Sequence, residues 1–128
     1  MKKEDKVGSL VRLKDADEFI ASARDNMAAN RFKACLDHAI DAVIAANDAF
    51  TIHFLEEVAS YDHHEAITLH KLAGQKINEN KASEISILLE ERHRKTYRTV
   101  SVTSNLAELN LKKAERFVDW VKNKVKYF

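Results

Sequence analysis

Seven consecutive residues, Arg92-His93-Arg94-Lys95-Thr96-Tyr97-Arg98, hold the densest run of charge-bearing and titratable side chains in the sequence. Arginine offers paired N–H donors that match two phosphate oxygens, and lysine offers a compact positive charge. Histidine titrates near neutrality, so His93 can give or take a proton. A tyrosine such as Tyr97 stacks on a nucleobase or donates a hydrogen bond. Arg92, Arg94, Lys95 and Arg98 are the candidate phosphate-binding residues. Arg92, His93 and Tyr97 are the candidate catalytic set if a phosphodiester is cleaved. The same run also suits a solvated helix end, because basic residues complement the negative end of the helix dipole.

Other reactive side chains point less clearly to chemistry. Asp62, His63, His64, Glu65 and His70 lie close together, with His38 and His53 upstream. No pair matches the His-Glu-x-x-His zinc pattern, and two histidines seven residues apart make a weak ligand set, so no metal site is expected. The cluster reads as a helix start with one structurally bonded histidine. Asp37, Asp41 and Asp48 share one strip of a helix and are expected on an exposed face. Cys35 has apolar neighbours and reads as a small buried hydrophobe. With no glycine-rich phosphate loop, no cofactor is expected.

The elements that carry these residues are helical. The sequence has 128 residues, no proline and two glycines, which suits an all-α bundle of about five helices. Residues 1–13 read as a charged, loosely held lead-in, and 14–128 as a single domain whose first helix is capped by Asp15 or Asp17. After a polar link at Asn30-Arg31, a helix from about Arg31 to Val58 is apolar around most of its circumference. Such a helix is surrounded by others. Asn47 lies on its apolar side and needs a buried partner. Asp62 caps a short third helix that Gly74 closes, and Ser83 opens a fourth that ends in the basic run. Thr99–Ser104 is an extended linker, and Ser104 caps the last helix.

That last helix has two apolar faces. Ala107, Leu111, Ala114, Val118, Val121 and Val125 form a seam at alternating spacings of four and three. Leu109 and Trp120 lie on roughly the opposite side, with Phe117 between, and these three are the expected homodimer interface.

Formal net charge is +1, so any pull on nucleic acid is local. A single cysteine and an N-terminus without an apolar run predict a cytoplasmic protein. No apolar stretch reaches the roughly 20 residues of a membrane span, so no membrane partner is expected.

Two stretches resemble the HEPN family (higher eukaryotes and prokaryotes nucleotide-binding domain). Ala16 through Ala49, with Asn30-Arg31-Phe32 at its turn, is similar to the family's first two helices, and Asp62-His63-His64-Glu65-Ala66 to the start of its third. Leu88 through Tyr97, followed by Ala107–Val121, resembles its fourth helix, linker and closing helix. The resemblance implies a helical bundle that usually dimerises. Many relatives are metal-independent ribonucleases, often toxins encoded beside a nucleotidyltransferase. They use an Arg followed four to six residues later by His. Here Arg92 matches, but the later position holds Tyr97, whose pKa near 10 suits it poorly to shuttling protons at pH 7. The expected function is therefore a homodimeric RNA- or nucleotide-binding module without efficient catalysis. The alternatives are a divergent, toxin-like metal-independent ribonuclease and a helical partner of a nucleotidyltransferase.

Overall fold

A computed structural model describes residues 2–60, 62–96 and 99–127, with the backbone alone at 92–96 and 127. The chain is an all-α bundle: α1 (Val7–Ala28), α2 (Phe32–Leu55), α3 (His63–Gln75), α4 (Ala82–Thr96) and α5 (Ser104–Tyr127). A two-residue ribbon, β1 (Lys2–Lys3) paired antiparallel with β2 (Glu57–Val58), closes one end.

α2 is the central helix and packs against all four others. Leu36, Ile40, Val43 and Phe50 on one side and Ala42, Ala45, Ala49 and Ile52 on the other are all buried, as a helix apolar around its circumference requires. α1 folds back along α2 through a tight turn. Arg31 N–H donates to Asn26 O and Asn30 N–H to Met27 O, while Asn30 takes a left-handed φ of 60°. This pairing satisfies the last carbonyls of α1. The α5 seam from Ala107 to Val125 is buried along its whole length.

Several boundaries differ from expectation. α1 begins at Val7, not at Asp15 or Asp17, and the start of the chain is held: Lys2 pairs with Val58 and Glu4 N–H donates to Glu56 O. α2 stops at Leu55, because Glu56 turns left-handed (φ 54°) and the next two residues join the ribbon. Asp62 caps α3 as expected, its Oδ1 accepting from His64 N–H at 2.8 Å. Gly74 is not a left-handed cap: α3 runs through it to Gln75, its C-cap Lys76 keeps a helical φ of -66°, and the left-handed residue is Asn78 (φ 55°) in the loop beyond. Gly74 is needed for space, since a Cβ there would lie 2.5 Å from Glu79 O. Asn80 caps α4 by accepting from Ala82 N–H. Thr103, not Ser104, caps α5, its Oγ1 accepting from Leu106 N–H at 3.1 Å.

Candidate functional site

The basic run closes α4. Arg92, His93, Arg94 and Lys95 occupy its last turns as helical backbone, and their side chains lie outside the described part of the structure. Tyr97 and Arg98 lie outside the described residues. Beyond them, Thr99–Thr103 is non-helical, as the β-branched sequence predicts. The basic turn therefore sits at a helix C-terminus, where positive charge is favoured and phosphate must be held by side chains rather than by backbone N–H groups.

A buried polar network anchors the opposite end of α4. His70 Nδ1–H donates to Asn47 Oδ1 at 2.8 Å, and Asn47 Nδ2 donates to Ala66 O at 3.3 Å. Lys81 N–H donates to His70 Nε2 at 2.8 Å. Both ring nitrogens are thus used, which fixes one neutral tautomer. Burial lowers the His70 pKa to about 4, so the ring is uncharged at neutral pH. Phe50 and Trp120 pack on it, with ring centroids 4.9 and 5.8 Å away. His70 is a structural group joining α2, α3 and α4, the role read for one histidine of that cluster. Asn47 has the partner its buried position demanded.

Asp48 departs from the expected exposed strip. Its side chain is 16% exposed and lies 3.0 Å from Arg12 Nη2, and Arg12 also donates to Asp15. Burial outweighs the guanidinium and raises the Asp48 pKa to about 6. Asp37 and Asp41 are likewise half-buried. Asp48 and His63 line one cavity of about 190 Å³, walled by Ile44, Ile85 and Leu89. The sequence placed His63 and Asp48 in separate groups, and no spacing rule joins them.

The second apolar face of α5 turns inward in part. Phe117 is 3% exposed, and Trp120 packs on Phe50 at 5.1 Å and beside Phe117 at 6.1 Å, all within one chain. The Trp120 indole N–H donates to Glu79 Oε1 at 2.8 Å. Of the expected dimer residues, Leu109 alone remains well exposed, at 49%. Phe117 is therefore covered within the chain, and Trp120 is partly buried. α3 and the start of α4 supply a second wall that helical periodicity within α5 does not reveal. Between these walls lies a cavity of about 220 Å³ lined by Lys81, Glu84, Lys113, Arg116, Phe117 and Trp120. Its α5 residues were visible in the sequence, since 113, 116, 117 and 120 share one helical face.

Elsewhere, Cys35 is fully buried and its pKa is raised, by burial and then by the negative charge of Glu115. It is the small buried hydrophobe its neighbours suggested. His38 Nδ1 is hydrogen-bonded with the Ser22 hydroxyl. Among the described residues, no three His, Cys, Asp or Glu side chains converge on a metal-sized site. No described helix is long and apolar enough to cross a membrane.

Four helices pack around a buried central α2, and the basic run closes α4, in an all-α bundle. The chain belongs to the HEPN domain family, whose model matches residues 10–124. No curated protein matches the chain.

Proposed function

We propose that this HEPN domain is a homodimeric RNA- or nucleotide-binding module that grips phosphate with the basic end of α4 and does not cleave efficiently. The observation that carries the reading is the position of Arg92, His93, Arg94 and Lys95 on the closing turns of α4, in a chain of this family. Arg92, Arg94, Lys95 and Arg98 hold phosphate, Tyr97 stacks or hydrogen-bonds, and His93 supports them. Tyr97 stands where ribonuclease relatives carry histidine, which removes the group best suited to move protons at neutral pH. Among the buried titratable groups, His70 is bonded at both nitrogens and Asp48 is tied to Arg12.

Fluorescence anisotropy with a labelled RNA pool in EDTA tests the reading. Wild type binds with an affinity that falls as salt rises, and Arg92→Ala with Arg94→Ala weakens binding about tenfold or more at low salt. Unchanged binding in the double variant rejects the proposal. Cleavage of the pool that disappears in Arg92→Ala replaces it with a metal-independent ribonuclease.

A further inference from the structure

Two adjoining cavities lie beside the ribbon. The larger, about 680 Å³, falls within the roughly 300–1,000 Å³ typical of small-molecule sites. Its walls include Val7, Gly8 and Val11 of α1, Ile52 of α2 and Val58 of β2. The smaller, about 190 Å³, is walled by Ile44, Ile85 and Leu89. Asp48, Ala59 and Ser60 line both, so the two form one apolar cleft with a carboxylate where they meet.

That carboxylate is under-compensated. Arg12 reaches one of its oxygens: Nε donates to Oδ2 at 3.1 Å, and Nη2 lies 3.0 Å from the same atom. Arg12 Nη1 donates instead to Asp15, at 2.9 Å. One guanidinium thus serves two carboxylates, which leaves one negative charge in excess. Asp48 Oδ1 accepts no hydrogen bond among the described residues. Of the other charged groups in the lining, Lys2 and Glu4 offset each other, and Asp62 adds negative charge beside His63. The cleft is therefore net negative in a chain whose formal charge is +1. Burial raises the Asp48 pKa to about 6 in spite of Arg12, which is the same shortfall expressed in proton binding. A second cation beside Oδ1 relieves it, whereas an anion or a neutral apolar group does not.

We infer that this cleft is a binding site for a small apolar amine, a primary ammonium group on an alkyl or aryl-alkyl chain. The ammonium donates to Asp48 Oδ1, and the chain lies against Val11, Val58 and Leu89. The site is separate from the phosphate-binding end of α4 and does not rest on that reading.

Hexylamine, hexanol and hexanoate share a chain and differ in the charge of the head group, so they separate charge from shape. Isotope-labelled full-length protein is titrated with each, and the amide shifts of Gly8, Ala59, Ser60 and Ala66 are followed by NMR. At about pH 7.5, hexylamine shifts these amides saturably and binds at least about tenfold tighter than hexanol, while hexanoate does not saturate. At about pH 5, Asp48 is mostly protonated, so the preference for hexylamine falls about tenfold. The charged groups around Asp48 are Arg12 and Asp15 of α1, Lys2 and Glu4 at the start of the chain, and Asp62 and His63 at the start of α3. Histidines titrate near neutrality, so His63→Ala is the control for that ring. It keeps the preference and its pH dependence, and Asp48→Asn, which keeps the shape, abolishes both. Val11→Lys changes a position that is 57% exposed and puts a cation at the edge of the cleft. It weakens hexylamine more than hexanol, and it tests the site even where Asp48→Asn disturbs the fold. Equal binding of hexylamine and hexanol at neutral pH, a preference that survives Asp48→Asn, a pH dependence lost in His63→Ala, or no saturable shift at millimolar concentration overturns the inference.

Discussion

His70 and Asp48 are both buried titratable groups, and burial moves their protons in opposite directions. The His70 pKa falls to about 4 and the Asp48 pKa rises to about 6. For His70 the unfolded chain binds the extra proton between about pH 4 and 6.5, so its contribution to stability grows as pH rises through that window. For Asp48 the folded chain holds the extra proton between about pH 4 and 6, so its contribution shrinks as pH rises. The two slopes oppose each other across the shared window. Asp48→Asn removes one of them. Its stability relative to wild type should climb by up to about 1.4 kcal/mol per pH unit between pH 4 and 6. Urea denaturation across that range checks this, and parallel profiles for the two proteins would rule out the buried, protonated state of Asp48. Asn47→Ala acts on the same group by a different route. It strands the His70 Nδ1–H in the core and should cost about 1–3 kcal/mol, read as a lower urea midpoint at pH 7.

At the scale of elements, the last turn of α3 is set by one close contact. A methyl at Gly74 would meet the Glu79 carbonyl at 2.5 Å and Asn80 Cβ at 2.8 Å. The obstacle at Glu79 is backbone, so the loop that delivers Asn80 to its capping position must shift. Gly74→Ala should destabilise by about 1–3 kcal/mol, whereas the usual effect of such a change in a helix is stabilising. A raised melting temperature would show that the 75–80 loop gives way without cost. Gly74 also shows what the sequence can and cannot convey. Helix order, the central place of α2 and the buried seam of α5 follow from periodicity, a property of each segment alone. The asparagine at 47 followed from the same reasoning, because a polar residue on an apolar stripe demands a partner. Gly74, Trp120 and Asp48 read differently once neighbouring elements are in place. The clash at 74 comes from a loop five residues on, the inward face of Trp120 depends on α3 and α4, and Asp48 is covered through Arg12 of α1. Thr103 over Ser104 is a smaller miss, since either hydroxyl can cap and the choice rests on where the linker bends. The basic run was legible as a phosphate-binding candidate from residue type and order alone, and the aromatic cavity was half legible, through the α5 face that carries Lys113 and Trp120.

For the molecule as a whole, the inward turn of Phe117 and Trp120 separates folding from assembly. Trp120 packs on Phe50 and His70 and is hydrogen-bonded to Glu79, so a charge at 120 strikes the junction of α2, α3 and α5. Trp120→Glu should therefore lower stability by about 3–5 kcal/mol, the cost of losing a large packed aromatic. Any change in association it causes would be secondary to that loss. Leu109 is the residue on α5 that can test assembly cleanly. It is about half exposed, and Leu109→Glu places a charge in water without disturbing the core. The proposed homodimer predicts that wild type sediments as a dimer at micromolar concentration. Leu109→Glu should shift that equilibrium toward monomer while the monomer keeps its helical circular dichroism. A wild-type monomer would remove the homodimer from the proposed function. A dimer indifferent to Leu109→Glu would move the interface away from this face of α5, and RNA binding measured on the same samples would then show whether phosphate recognition depends on pairing two chains.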